Sequence, residues 1–450
     1  MSTRYFGTDG IRGPADGPLF DQEFLHRLTG AVIGFIRAGH GTTAPRIVIG
    51  RDTRESGGRI LGHLAAGFGR FPGECIDLGI VPTPAVAWVT RSEEADLGIS
   101  LTASHNPSDD NGIKLFSREG VKFEAIDEER IEALMLQPPA GSEGAHPGFT
   151  LLRRPASAGY LRSVEVLSKH LDLAGLTIVC DTANGAACAT TPDVLRDRGA
   201  EVITIAAEPD GSNINLGCGS EHPEAMARRV KETGAALGIA HDGDGDRVVF
   251  ADENAEIVPG DQILGIFALH GIRKESLAGR VLVATVQSNR GLDLAVAKAG
   301  GSVVRTDVGD RNVAARMRAL GASLGGESSG HIILHNYSTT GDGLLAVLYL
   351  LRVMKETGRT LSDLRSDIPL LPQRNANLAV KEKIPLSECR ALARTQAAVK
   401  KEIGGGGRVM IRYSGTEPKL RFLVETSTLE ECAEKMDRLL AAARADLPVA

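Results

Sequence analysis

The sequence predicts an α/β chain of three similar domains, with mixed, largely parallel sheets around a central cleft, followed by a smaller C-terminal α+β domain. Three observations predict it. At 450 residues, the chain is longer than one ordinary hydrophobic core organises, so it divides. A short apolar strand, a polar glycine-containing turn and a stretch of helical period recur three times. Each recurrence closes on a Leu-Gly pair leading into a polar loop. Strands alternating with helices build largely parallel sheets, and ligands in such folds gather beyond the carboxyl ends of the strands.

The opening strands are Arg46-Ile47-Val48-Ile49, Leu176-Thr177-Ile178-Val179 and Val281-Leu282-Val283-Ala284. Their turns are Arg51-Asp52-Thr53, Asp181-Thr182-Ala183-Asn184-Gly185 and Gln287-Ser288-Asn289-Arg290-Gly291. Helical period follows over 191–199 and 292–300, and Glu201-Val202-Ile203-Thr204-Ile205 reads as a second strand. The closing pairs are Leu97-Gly98, Leu237-Gly238 and Leu324-Gly325. We expect domains over 1–153, 154–253, 254–368 and 372–450. Gln137-Pro138-Pro139-Ala140-Gly141-Ser142 marks a loop late in the first, and Asp252-Glu253-Asn254 the passage from the second to the third. Ile368-Pro369-Leu370-Leu371-Pro372 reads as a linker, because proline blocks helix continuation. In the last domain a helix is expected to open at Ser427, with Glu430 completing a capping box, and to bury Leu429, Met436, Leu439 and Leu440.

Composition narrows the partners. A net charge of −6 argues against a nucleic-acid or anionic-membrane surface, both of which need a broad basic face. The six cysteines are scattered without a CxxC pair and read as reduced thiols. Residues 1–13 lack an apolar signal segment, and no apolar run reaches membrane-spanning length, so a cytoplasmic protein is expected. Whether it is a monomer or a homodimer is left open.

Four loops carry chemistry. Asp242-Gly243-Asp244-Gly245-Asp246-Arg247 places three carboxylates at alternate positions with glycines between them. The glycines let the backbone curl so that the oxygens converge on one hard divalent cation. An EF-hand would need glycine where Arg247 stands, and Val248-Val249-Phe250 reads as a strand. A solvated acidic turn is the plain alternative. Thr102-Ala103-Ser104-His105-Asn106-Pro107, with Asn111-Gly112-Ile113-Lys114 beyond, occupies the matching place in the first domain. Alone it fits a hydrogen-bonding turn; beside the aspartates, a phosphate on Ser104 supplies an oxygen to Mg²⁺.

Gly326-Glu327-Ser328-Ser329-Gly330 matches G-x-S-x-G, but a hydrolase elbow joins strand to helix, and His331-Ile332-Ile333-Leu334 reads as a strand. Glu327 and Ser329 are better suited to sugar hydroxyls, with His331 as a further contact or a structural histidine. Arg412-Tyr413-Ser414-Gly415-Thr416-Glu417-Pro418, followed by Arg421, makes an anion cradle of hydroxyls, guanidinium groups and loop amides. A generic Ser-Gly turn is its plain alternative.

With Arg4-Tyr5-Phe6-Gly7-Thr8-Asp9-Gly10-Ile11-Arg12-Gly13, these loops in this order resemble the α-D-phosphohexomutase superfamily over essentially the whole chain. Asn213-Ile214-Asn215 and Cys218-Gly219-Ser220-Glu221-His222-Pro223-Glu224 resemble its glucosamine branch. Thr102 stands where that branch commonly has serine, and Ser328 where it commonly has asparagine.

The resemblance implies an isomerase that converts glucosamine 6-phosphate and glucosamine 1-phosphate into each other, supplying UDP-N-acetylglucosamine synthesis, with a phosphomannomutase or phosphoglucomutase of the same superfamily as the alternative. Glucosamine 1,6-bisphosphate is the implied intermediate and activator. It makes Ser104 the phosphorylated nucleophile and gives one Mg²⁺ to Ser104, Asp242, Asp244 and Asp246. Arg12, His105, Lys114 and Arg247 are implied to neutralise charge or move protons. Glu327, Ser329 and His331 would meet the sugar, and Arg412, Ser414, Gly415, Thr416 and Arg421 the non-reacting phosphate. A proton-transfer role for Lys114 requires a depressed pKa.

Overall fold

The computed structural model describes residues 5–7, 9–137, 146–154, 157–414 and 418–449, the side chains of residues 40, 157 and 158 apart. The expected loop at 138–142 lies outside them. By contacts the chain divides into two compact units, residues 1–287 with 300–367, and residues 288–299 with 368–450.

The first unit holds three sheets. The first is built from β1 (Phe6–Gly7), β2 (Gly10–Pro14), β3 (Arg46–Arg51), β4 (Gly73–Ile80), β5 (Leu97–Leu101), β6 (Asp110–Ser117) and β7 (Phe149–Arg153). They lie in the order β1-β2-β6-β5-β3-β4-β7. The segment β5-β3-β4-β7 is parallel, and β6, β2 and β1 add antiparallel strands at one side. The second sheet has β8 (Thr177–Asp181), β9 (Glu201–Ile205), β10 (Leu237–His241), β11 (Val248–Ala251) and β12 (Ile257–Val258), ordered β12-β11-β10-β8-β9. Because β12 pairs with β11, this sheet runs past the boundary expected after residue 253. The third has β13 (Val281–Thr285), β14 (Ser302–Thr306), β15 (Leu324–Gly326) and β16 (Ile332–Leu334), ordered β14-β13-β15-β16. Its final pair is antiparallel, so strand follows the Gly326–Gly330 turn and a hydrolase elbow is excluded.

The Leu-Gly pairs prove to open strands β5, β10 and β15 instead of closing them. The reason is steric. A Cβ on Gly98 would stand 2.1 Å from Thr90 Oγ1, one on Gly238 2.1 Å from Met226 Sδ, and one on Gly325 2.5 Å from Met317 Sδ. Those partners belong to the helices Thr83–Ser92, Glu224–Thr233 and Asp310–Leu320 that lead into the strands. Each glycine admits a helix side chain against the sheet, while Leu97, Leu237 and Leu324 are buried.

The first sheet is covered by the helix Gln22–His40, whose Leu25, Leu28, Val32 and Ile36 join one core with Ile47, Ile49, Leu97 and Ile99. Their spacing of three and four residues makes one apolar helix face. Asp21 caps it by accepting from Phe24 N–H at 2.7 Å, worth about 1 kcal/mol.

The second unit contains β17 (Gln373–Ala379), β18 (Arg408–Tyr413) and β19 (Lys419–Glu425), all antiparallel in the order β17-β19-β18. The helices Arg390–Ile403 and Leu429–Asp446 share its core through Val399, Met436 and Leu439. The cap of the last helix lies one residue later than expected. Thr428, not Ser427, accepts from Glu431 N–H, while Ser427 bonds the Glu431 side chain. Leu429 is consequently turned outward at 59% exposure, whereas Leu440 packs at the core edge. Among the described residues no helix is long and apolar enough to cross a membrane.

Candidate active site

Ser104 sits on the loop between β5 and β6, buried, with a left-handed φ of +54°. Its N–H donates to Thr102 Oγ1 at 2.8 Å, and the loop's carbonyls converge on one guanidinium. Arg54, fully buried and paired with Asp52 at 2.9 Å, donates to the carbonyls of Ser104, Asn106, Pro107 and Asp110. This preorganised loop directs Ser104 Oγ toward the second sheet, where it donates to Asp242 Oδ2 at 2.7 Å.

The aspartate loop follows β10, and Asp242, Asp244 and Asp246 are all buried, with one oxygen of each within 4.8 Å of the others. Gly243 is obligatory, since a Cβ there would stand 2.7 Å from Ser104 O. Each carboxylate divides its labour. Asp244 Oδ2 accepts from Thr83 Oγ1 at 2.6 Å and from Lys114 Nζ at 2.8 Å, leaving Oδ1 buried with no hydrogen-bond partner. Asp246 Oδ2 accepts from Lys114 at 3.0 Å, and its Oδ1 is likewise unpartnered. Asp242 Oδ1 accepts from Arg247 N–H at 3.1 Å, and its other oxygen faces Ser104.

Buried carboxylate oxygens without donors are costly, and several converging in one place fit a hard divalent cation. The electrostatics agree. Burial, and then the charges of Asp244 and Asp246, push the Asp242 carboxyl well above its ordinary range. Burial also opposes the charge on Asp246, but Lys114, His331, Lys122 and Arg247 overcome it and hold that group ionised.

Lys114 Nζ lies among Asp9, Asp244 and Asp246. Burial alone would depress it, yet Asp244, Asp246 and Asp9 hold its ammonium well above the usual lysine value. In this arrangement it is a cation paired with three carboxylates. His105 behaves differently: burial, then Arg247, lowers its pKa, so the imidazole is neutral near pH 7. Arg12 reaches Asp9 at 2.6 Å, and Arg247 lies 3.7 Å from Glu221.

The third domain contributes His331, whose Nε2 lies 3.3 Å from Asp310 and 3.7 Å from Asp246. Glu327 accepts from Gly309 N–H at 2.9 Å, and Ser329 is exposed on the same turn. Lys122 was invisible to motif reading. Its side chain, 9% exposed, lies among Asp9, at 2.8 Å, Asp310, and Asp246 at 3.7 Å, joining residues from all three sheet domains. Arg54, Thr83 and Lys122 act across long chain separations, so no local spacing announces them.

Within the second unit, Arg412 and Arg421 are direct cross-strand partners on β18 and β19. Arg421 donates to Ser414 Oγ at 3.2 Å, and Arg412 Nε is buried without a hydrogen-bond partner. Like charges facing across strands repel, an arrangement that an anion relieves. Gly415 and Thr416 lie outside the described residues.

Residues 3–140, 158–256, 259–370 and 376–442 match, in turn, the phosphoglucomutase/phosphomannomutase family's alpha/beta/alpha domains I, II and III and its C-terminal domain. The phosphoglucosamine mutase of Syntrophotalea carbinolica is 44% identical over 98% of each chain. That of Nitratidesulfovibrio vulgaris is 43% identical, again over 98% of each. Among solved structures, a phosphoglucomutase/phosphomannomutase family protein from Burkholderia thailandensis shares the fold with a TM-score of 0.82 and 24% identity, covering 99% of this chain and 100% of its own. Aspergillus fumigatus N-acetylphosphoglucosamine mutase, solved with GlcNAc-6P and magnesium, has a TM-score of 0.68 and 17% identity, covering 99% and 96%.

Proposed function

The chain belongs to the phosphoglucomutase/phosphomannomutase family, the α-D-phosphohexomutases, and from that premise we propose that it interconverts glucosamine 6-phosphate and glucosamine 1-phosphate. The 2.7 Å approach of Ser104 Oγ to Asp242 carries this reading, because it puts a hydroxyl nucleophile at a cation-ready cluster of carboxylates. The glucosamine preference draws its support from the relatives at 43–44% identity that bear the phosphoglucosamine mutase name.

Asp242, Asp244 and Asp246, with an oxygen of a Ser104 phosphate, would hold Mg²⁺, which supplies Lewis-acid neutralisation of the transferring group. Phosphoryl transfer depends chiefly on alignment and charge stabilisation. Ser104 carries the phosphoryl group and donates it to the free hydroxyl of the monophosphate; the O–P bond to serine breaks as the bond to the sugar oxygen forms. The hydroxyl proton passes to a neighbouring base, for which neutral His105 is suited. Glucosamine 1,6-bisphosphate results. Return of its other phosphoryl group to Ser104 releases the isomer.

Lys114, Arg12 and Arg247 stabilise the charge that spreads over the phosphoryl oxygens. Glu327, Ser329 and His331 read the sugar hydroxyls. Arg412, Ser414 and Arg421, with Gly415 and Thr416, take the phosphate that is not reacting.

Turnover of glucosamine 6-phosphate, glucose 1-phosphate and mannose 1-phosphate under identical magnesium tests the substrate. Faster conversion of either hexose phosphate would move the chain to another branch of the family. Intact mass tests the carrier: one phosphate on the wild type and none on Ser104→Ala, which should not turn over. An active Ser104→Ala protein would overturn the mechanism.

A further inference from the structure

The carbonyl of Ser104 accepts two hydrogen bonds, from Arg54 at 3.1 Å and from Asn215 Nδ2 at 2.9 Å. The carbonyl of Asn106 is shared by the same two donors, at 2.7 Å and 3.0 Å. Their origins differ. Arg54 belongs to the domain that carries Ser104 and shapes the loop from within. Asn215 comes from the domain that carries the aspartates, anchored by its own N–H donating to Ala183 O at 2.9 Å. Gly243, between the first two aspartates, fits against both partners: a Cβ would stand 2.7 Å from Ser104 O and 2.8 Å from Asn215 Nδ2.

Ser104 holds a left-handed φ of +54°, which a residue with a Cβ keeps only where its surroundings impose it. With its N–H taken by Thr102 and its carbonyl by two donors, the serine backbone is fully engaged. Arg54 fixes the loop relative to its own sheet. Of these two donors, only Asn215 fixes it relative to the aspartates.

We infer that Asn215 is a positioning residue for phosphoryl transfer, its amide setting the separation between Ser104 Oγ and the aspartate trio. The inference rests on the phosphoserine reading above. Asn215 touches no reacting atom; it acts through two backbone carbonyls. Reacting groups displaced by a fraction of an ångström to one ångström lose much of the advantage of alignment.

The test uses Asn215→Ala and Asn215→Asp in the full chain, alongside wild type. Aspartate preserves size but cannot donate, and it sets a negative charge against two carbonyl oxygens. In both variants kcat should fall about 10–100-fold, with KM for glucosamine 6-phosphate within about twofold of wild type. Single-turnover transfer from phosphorylated Ser104 to the acceptor should slow by the same factor. Circular dichroism gives the folded fraction, to which kcat is normalised. Wild-type kcat per folded molecule in either variant, or a loss confined to KM, overturns the inference while leaving the mutase reading intact. A wild type that isomerises none of the phosphosugars overturns both.

Discussion

Thr83 donates its hydroxyl to Asp244 Oδ2 at 2.6 Å and its backbone N–H to the Asp244 carbonyl at 2.9 Å. One residue at the start of a first-domain helix thereby fixes both the side chain and the backbone of an aspartate in the next domain. Thr83 also shares a 2.8 Å hydrogen bond with Ser100 on β5, so its hydroxyl is held in turn.

Removing that hydroxyl leaves Lys114 alone to hold Asp244 Oδ2, which loosens the convergence of Oδ1 with the neighbouring carboxylates. Thr83→Val should weaken divalent-cation binding about 10–100-fold with the fold retained. Calorimetric titration with Mg²⁺ or Mn²⁺ measures this, and an unchanged isotherm would refute the role.

Cation binding should release a proton. Burial, together with Asp244 and Asp246, raises the Asp242 carboxyl well above its ordinary range, so without a cation the group retains its proton to higher pH. Affinity for Mg²⁺ should therefore rise with pH until that proton is gone. Titrating protein freed of serine phosphate, in buffers of differing protonation enthalpy, reads the release directly. Heats independent of buffer would contradict it.

The opposed arginines Arg412 and Arg421 predict a trade between stability and binding. Arg412→Ala relieves like-charge repulsion, so stability should hold or rise by about 0.2–1 kcal/mol. KM for the phosphosugar should rise about tenfold or more through loss of a charge-assisted contact, with Ser104 phosphorylation preserved. A lower melting temperature with unchanged KM is the opposite pattern and would defeat the cradle.

His241 predicts part of the acid sensitivity. Burial pushes its pKa down to about 4, while the unfolded chain titrates near ~6.5. The imidazole is neutral in the fold, bonded to Thr191 at 3.0 Å and the Arg247 carbonyl at 3.2 Å. As pH falls below ~6.5 the unfolded state takes up the proton first, so the contribution is present above that value and is lost as pH falls toward the folded pKa, by about 3–4 kcal/mol in all. Urea unfolding at neutral pH and near pH ~4.5 should show a smaller acid loss in His241→Asn than in wild type. Equal losses would exclude His241 as a source.

Local patterns announced much of this architecture. Alternating aspartates and glycines between Asp242 and Asp246 marked a candidate cation loop, and the matched place of the Ser104 loop pointed to its neighbour. What stayed hidden works at a distance. Arg54 acts on backbone carbonyls, which no side-chain motif encodes, and the Asn213–Asn215 stretch stood out without showing that Asn215 does the same. Lys122 acquires meaning only when Asp9, Asp246 and Asp310 surround it. The last helix cap was ambiguous for a simpler reason. Ser427 has Glu430 three residues on, and Thr428 has Glu431 in the same relation; the core on the opposite side decides between them, turning Leu429 to solvent.

Gly98, Gly238 and Gly325 make the chain's tolerance of change uneven. A methyl group at any of them collides with a side chain of the packed helix, and the same strand leads into a polar loop within a few residues. In a saturation scan scored on activity, three narrow troughs should appear at equivalent points of the repeated unit. Adaptive variation is thereby steered to the outer faces of the helices and the peripheral turns.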